Sequence, residues 1–374
     1  MAFKINKVKA DLRSYAPYII MGQPKVGKST LFRDLVLLNY KDPAKGLLIS
    51  MGQEEGFLAL DDLNYEEAKT WDDYEDENGN RGLVQIIDEV IETQGTPDQI
   101  EMVAFDTLDE LVEVATAQVY EEHREQNGTY PKSLNDALGG YQRGNKRVVE
   151  LIKEQIARLR EAKIAVFIIA HTKIKVQTDI MTSQEYEIIT NNLLSTFYNP
   201  IANIAQMIVN IVYDRTIDEK KIIKKEKEEH EIGKVVSAQR MMVFCNNPFV
   251  DAGGRFNGLP EKLPLSAENF MEAFKMGVKA SSRNVEMTDV KMEELRQAEI
   301  KENNEIAEAM AKKQELAQKM EVVKEINILL KEDPNRVGTI SGIIKEAQMK
   351  NFSEKEVEKV DIEVLHRMRE ALLD

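Results

Sequence analysis

The chain has 374 residues, of which 43% are hydrophobic and 31% charged, with a formal net charge of −15 at pH 7: enough for one large domain or two, with a charged helical region besides. That acidity excludes a protein that coats duplex DNA by bulk charge and leaves only a local basic groove. One cysteine, Cys245, and four scattered histidines exclude disulfide staples and a zinc cluster, and no apolar stretch reads as a signal or a membrane span, so the composition is that of a soluble protein of a reducing compartment.

Residues 1–17 alternate basic and apolar types and suggest an edge strand or arm. Tyr18–Met21 is a short apolar strand, and Thr30–Leu38 is apolar at helical spacing. Between them, Gly22-Gln23-Pro24-Lys25-Val26-Gly27-Lys28-Ser29 fits G-x-x-x-x-G-K-[ST] without a mismatch. Strand, glycine loop and helix in that order is the context this phosphate-binding pattern requires. Gly22 and Gly27 let the chain curl so that backbone N–H groups face a phosphate. The helix start adds free N–H groups and a positive dipole end. Lys28 brings charge to the β- and γ-phosphates and Ser29 a hydroxyl ligand for Mg²⁺; Gln23, Pro24, Lys25, Val26 and Thr30 complete the cradle. A chance glycine loop is the competing reading, and both flanks weigh against it.

Leu47–Met51 is a second strand, ending in Gly52-Gln53-Glu54-Glu55-Gly56. Residues 60–80 read as an acidic loop or a solvated short helix, 82–94 as a helix broken by Gly95-Thr96-Pro97, and 100–105 as a buried strand closed by Asp106. A helix from Leu108 to Glu125, a long connection over 127–146 and a helix over 145–162 follow. Ile164–Ala170 is the most evident buried strand, and His171 ends it. Alternation of helices with continuous apolar strands predicts an α/β fold with a mostly parallel sheet covered on both faces. A second connection, 172–200, leads to two strands, 205–213 and 235–244. The segment between them, about 214–234, reads as a lysine-rich hairpin arm. A helix over 266–277 closes a core of residues 1–280. Beyond it, 281–333 reads as a long charged helix or linker with a weak coiled-coil stripe. Residues 334–374 read as a small helical domain in which Ser353-Glu354-Lys355-Glu356 starts a helix with a capping box.

Four further groups can carry chemistry. A carboxylate at the C-terminal end of a buried strand, as Asp106 is, stands where Mg²⁺ beside a phosphate loop needs one; an ordinary helix cap is the alternative. Glu54 or Glu55 can orient the water in line with the γ-phosphate, with Glu55 preferred because Gly56 lets the chain turn there. His171 stands where a side chain can sense the γ-phosphate and pass its presence to the following loop. The two connections carry Tyr130, Lys132, Tyr141, Arg143 and Lys146 in one and Lys173 and Lys175 in the other. Basic residues interleaved with aromatics suit single-stranded nucleic acid. Arg240 and Arg255 are candidates for a finger reaching a neighbouring subunit's γ-phosphate.

The ordered segments Gly22–Ser29, Glu54-Glu55-Gly56, Phe105-Asp106-Thr107, Ala170-His171-Thr172-Lys173 and Gly253-Gly254-Arg255-Phe256-Asn257-Gly258-Leu259-Pro260 resemble those of the phage P-loop nucleotide-binding proteins of RecA-core type, AAA-type phage ATPases that include single-strand annealing recombinases of the Sak group. The resemblance covers roughly residues 12–278. It implies a RecA-like core, ATP and Mg²⁺, ring or filament oligomers with nucleotide sites at subunit interfaces, single-stranded DNA contacts, and a cytoplasmic phage protein in a bacterial host. Lys28, Ser29, Asp106, Glu55 or Glu54, and His171 take the corresponding roles. Ser50-Met51-Gly52-Gln53-Glu54-Glu55 departs from the Asp-Thr-Glu-Gly pattern expected at the second strand. The expected function is a DNA-stimulated ATPase that promotes strand annealing or pairing, with the C-terminal helices docking a replication or recombination partner. The alternative is a nucleotide-switched adaptor or loader acting through protein contacts.

Overall fold

The computed structural model describes residues 17–51, 60, 62–72, 81–179, 181–225, 228–281, 289–332 and 336–373. Contacts divide the chain into two units. One is Asp98–Ile300 with the residues up to Thr93, and the other is Lys301–Asp374 with Gln94–Pro97.

The first unit is built on a sheet. In chain order it has β1 (Tyr18–Gly22), α1 (Lys28–Tyr40), β2 (Gly46–Ser50), β3 (Asn64–Glu67), α2 (Leu83–Glu92), β4 (Met102–Asp106), α3 (Leu108–Asn127), α4 (Arg143–Glu161), β5 (Ala165–Thr178), β6 (Glu185–Asn191), α5 (Ser195–Ala202), β7 (Met207–Lys225), β8 (Glu228–Val243), β9 (Gly253–Gly254), β10 (Lys262–Pro264) and α6 (Ala267–Ser281). The strands lie in the order β10-β8-β7-β1-β5-β4-β2-β3. From β7 to β3 they run parallel. β8 and β10 extend the sheet antiparallel, while β6 pairs with β5 and β9 with β7. This is the α/β class expected from the apolar strands, a RecA-like P-loop core.

Period-two alternation sorts each strand between two cores. Ile19 and Met21, Ile49, Val103 and Phe105, and Ile168 and Ala170 face α2, α3, α4 and α5. Tyr18 and Ile20, Leu48, Ala104, and Phe167 and Ile169 face α1 and α6. Strands buried on both sides have no polar face to show, which is why their sequences read as unbroken apolar runs. The second core is fastened by aromatic rings around Phe167. Tyr18 stacks on it at 5.0 Å, and Phe32 and Phe270 lie 5.6 and 6.1 Å away.

Two stretches differ from the sequence reading. The connection over 172–200 is largely a hairpin: β5 continues past the sheet edge to Thr178 and pairs with β6 from Thr172↔Asn191 to Thr178↔Glu185. Its mixed polarity is the alternation of a two-sided ribbon, with Lys173, Ile174, Lys175 and Val176 in succession. The acidic stretch after β2 contains β3, a polar strand that among the described residues pairs with β2 alone.

In the second unit, the last turns of α7 (Asp289–Glu332) join α8 (Val337–Glu346), α9 (Glu354–Val357) and α10 (Ile362–Leu373). Val323, Ile326, Ile340, Val357, Leu365, Met368 and Leu372 form its core. Ser353 occupies the N-cap of α9 but makes no side-chain cap. Its expected capping-box partner, Glu356, accepts instead from the Lys350 N–H at 3.4 Å. Among the described residues no helix is long and apolar enough to cross a membrane.

One half-buried carboxyl, that of Glu101, sits at the edge where β4 begins. The Glu101 N–H donates to the Lys45 carbonyl at 2.8 Å and its carbonyl accepts from Ala165 at 2.9 Å. Burial raises its pKa, with the Gln99 side chain and the Lys45 charge opposing. A raised folded-state pKa means that the folded chain binds the extra proton. Stability from this group is therefore full below the unfolded value and falls as pH rises through the folded one. Glu101→Gln removes that loss. Urea unfolding of the two proteins is expected to coincide near about pH 4 and to show the variant more stable by about pH 8.

Candidate functional site

The parallel register sets the site. Gly22 at the end of β1 is the partner of His171 on β5, and Asp106 at the end of β4 is the partner of Ile169 on the other edge of β5. Thus β5 lies between the glycine loop and Asp106, and all three emerge at the C-terminal edge of the sheet. That edge is where an open α/β sheet binds ligands.

The loop itself is made by local backbone chemistry. Val26 N–H closes a turn on the Gln23 carbonyl at 3.4 Å, and Lys25 takes φ 62. Gly27, at φ 107, caps α1 without a side-chain bond, and the first turn of the helix holds no acidic residue. No acidic residue of that first turn competes with an anion for its N–H groups. A Cβ on Gly22 would come within 2.8 Å of Val26 Cγ1, so the tight turn needs glycine there. Val26 and Lys28 are buried, Gln23, Pro24, Lys25 and Thr30 exposed. Lys28 folds over the loop, with Nζ donating to the Gly22 and Gln23 carbonyls at 3.1 Å each. An ammonium held by two neutral carbonyls is ready to exchange them for phosphate oxygens.

Ser29 Oγ donates to Asp106 Oδ2 at 2.7 Å, across 77 residues of chain. This joins the hydroxyl and the carboxylate expected to serve Mg²⁺. Both are hard oxygen donors of the kind that ion takes. Beside them Thr107 Oγ1 is buried with no hydrogen-bond partner among the described residues. The donor set fits Mg²⁺ and a polyphosphate: Ser29 and Asp106 would hold the ion, and the loop N–H groups with Lys28 the phosphates. Bound there, Mg²⁺ neutralises charge between the β- and γ-phosphates.

His171 lies between. Its N–H donates to Asp109 Oδ2 at 3.3 Å, and its Nδ1 is 3.7 Å from the same oxygen. Asn192 Nδ2 donates to Asp109 Oδ1 at 3.4 Å, and the Asn192 N–H to the His171 carbonyl at 3.0 Å. Asp109 thus ties the helix after Asp106 to β5 and to the residue that follows β6. On the far side, Tyr65 of β3 has its pKa raised by burial, with a Ser50 hydrogen bond opposing and the charges of Glu67, Asp106 and Glu110 adding to the rise. Sequence reasoning missed Ser50 and Tyr65. Ser50 could have been found as the last residue of an apolar strand; Tyr65 gave no signal. Glu54 and Glu55 lie outside the described residues.

The other candidates divide. Tyr130 donates its hydroxyl to Glu121 and lies under Arg124, whose guanidinium carbon is 5.3 Å from the ring centre. Tyr141 is 92% exposed; Lys132, Arg143 and Lys146 are exposed near it in sequence. Leu138, Gly139, Gly140, Tyr141 and Gln142 all take positive φ, an unusual run that displays Tyr141 ahead of α4. Lys173 and Lys175 are exposed on the hairpin, with Lys173 Nζ on the Asn192 carbonyl at 2.9 Å. Arg255 is held by its own subunit: it donates to the carbonyls of Ala205, at 3.1 Å, and Asn203, which follow α5. Arg240 likewise turns inward, onto the Val26 carbonyl at 3.2 Å. Both arginines are exposed apart from these contacts.

A family model described as an AAA domain matches residues 14–256. No curated protein matches the chain significantly.

Two variants separate the roles of the loop and the carboxylate. Lys28→Ala is expected to abolish measurable nucleotide binding in calorimetry. Asp106→Asn is expected to retain binding while Mg²⁺-dependent hydrolysis falls by about a hundredfold, the size of effect that removing one charge-stabilising group produces. Full phosphate release from Asp106→Asn would remove that residue from the site.

Proposed function

The chain belongs to the AAA domain family, and from that premise we propose that it is an ATP-dependent, RecA-like phage recombination protein that binds single-stranded DNA and promotes annealing or pairing. The family implies a nucleotide-dependent ATPase, usually with Mg²⁺. The convergence of Gly22–Ser29, Asp106 and His171 on one sheet edge carries the reading further. Lys28 and the loop hold the phosphates; Ser29 and Asp106 hold Mg²⁺; Glu55 or Glu54 orients the attacking water; His171 senses the γ-phosphate.

The DNA side rests on chemistry rather than bulk charge. β5 passes without interruption from the buried strand through His171 into the hairpin with Lys173 and Lys175. α4 runs directly into β5, so its first turn, with Arg143 and Lys146, is the end farther from the start of that strand. Tyr141 presents an open ring for a base and the lysines and arginine serve phosphates. Ring or filament assembly places several such surfaces along one strand. The C-terminal helices dock a recombination or replication partner. A nucleotide-switched adaptor is the second reading, favoured by the separate core of those helices.

Anisotropy titration of a labelled oligodeoxynucleotide tests this, with and without an ATP analogue, alongside ATP hydrolysis. The expected result is nucleotide-dependent binding that weakens steeply with salt and DNA-stimulated hydrolysis. Tyr141→Ala is expected to cost about 1–3 kcal/mol of DNA affinity, the worth of one stacked base, with ATP affinity kept. An absence of DNA binding at low salt in every nucleotide state would sink the recombinase reading in favour of the adaptor.

A further inference from the structure

Arg240 stands on β8, and its register partner is Tyr213 on β7. In the sheet order β8 lies on the β7 side of the loop strand, whereas β5 and β4, which carry His171 and Asp106, lie on the other. From its side the guanidinium reaches the phosphate loop: Nη1 donates to the Val26 carbonyl at 3.2 Å. A Cβ built on Gly27 would stand 2.9 Å from that nitrogen and 3.4 Å from Leu265 Cδ2. The Leu265 N–H in turn donates to the Arg240 carbonyl at 3.0 Å. Arg240 and Leu265 together wall the Gly27 turn, and the absence of a side chain at Gly27 makes room for the arginine.

The described arginines divide by partner: Arg143 and Arg255 meet carbonyls, and others meet carboxylates. Arg33 meets Asp34, Arg81 meets Glu66 and Glu89, Arg147 meets Glu122, and Arg158 meets Asp88. In a protein with a net charge of −15, Arg240 has no carboxylate within ion-pair distance among the described residues. One neutral carbonyl engages one of five N–H donors in a fork shaped for carboxylate or phosphate. The nearest structure built to receive an anion is the loop it already touches.

Resting on the reading of Gly22–Ser29 as a phosphate loop, we propose that Arg240 is a nucleotide-binding residue in cis, gripping the phosphates that ADP and ATP share. The sidedness decides which phosphates. The Ser29–Asp106 contact and His171 mark the reacting γ end on the β5–β4 side. Arg240 approaches from the opposite side and meets the α- or β-phosphate. This assignment replaces the finger reaching a neighbour with an anchor inside one subunit. It also makes β8, and through its pairing β7, a strand pair that contacts bound nucleotide at one point of its length.

Equilibrium titration of the full chain with fluorescent ADP and ATP analogues tests the assignment, using Arg240→Gln, Arg240→Lys and, as reference, Lys28→Ala. Arg240→Gln is expected to weaken ADP and ATP alike by about tenfold or more, the scale of a lost charge-assisted contact. Arg240→Lys is expected to fall between, because it keeps the charge and loses the fork. It also carries the test if the glutamine variant does not fold, which thermal unfolding without nucleotide reports. Unchanged ADP affinity in the variants, or a loss confined to ATP, overturns the assignment and returns Arg240 to a γ-phosphate or neighbour-reaching role. Should Lys28→Ala still bind both nucleotides, the phosphate-loop reading itself fails. Loss in Lys28→Ala beside unchanged Arg240 variants refutes the arginine alone.

Discussion

The register of β1 against β5, and of β5 against β4, is the constraint on which the rest depends. Parallel pairing sets strand ends level, and burial on both faces forbids a slip, since a shift of one residue would turn every side chain to the wrong core. Tyr18, Phe167 and Ala104 are sorted to one core and Met21, Ile168 and Phe105 to the other. The apolar sorting that stabilises the sheet therefore also positions Gly22, His171 and Asp106. Their alignment needs no dedicated support, because changing it would mean exposing the core.

On this frame the site has two unlike sides. Toward β5 and β4 stand the groups proposed to sense the γ-phosphate and hold metal: Ser29 bonded to Asp106, and His171 beside Asp109. Toward β7 and β8 stands the Arg240 guanidinium on the Val26 carbonyl. Lys28 bridges them from within, its ammonium on two loop carbonyls. Loop carbonyls engage both Lys28 and Arg240, and a polyphosphate bound there would add charge-assisted contacts.

Much of this was legible in the sequence, and the boundary of legibility is physical. A phosphate loop is a local device: turn, glycine and helix start are contiguous, so Gly22–Ser29 declares itself. Asp106 and His171 were readable because they end apolar runs. The β5–β6 hairpin was not, since Lys173 to Val176 alternate like a solvated ribbon and carry no turn signal strong enough to separate ribbon from loop. β3 hid for a related reason: Asn64-Tyr65-Glu66-Glu67 is polar and edge-bound, with composition poorly suited to strands. Arg240 meets Val26 across 214 residues, a contact that no spacing rule reveals. Arg255 falls in a conspicuous segment, and its guanidinium meets the carbonyls after α5, a contact its charge alone did not suggest.

The unbroken course of β5 has a mechanical meaning. Its buried half ends at His171, and seven further residues continue to Thr178 braced by β6. At about 3.3 Å per residue that overhang is about 23 Å long. The ribbon is held at two levels. At its root Asp109 bonds His171 and Asn192. Three residues further out Ile189, the partner of Ile174, donates its N–H to the Phe249 carbonyl at 2.8 Å and accepts from the Asp251 N–H at 2.9 Å. Two ties at different distances from the sheet fix a direction as well as a position, so the outer lysine of the ribbon, Lys175, is presented at a set reach from the sheet edge.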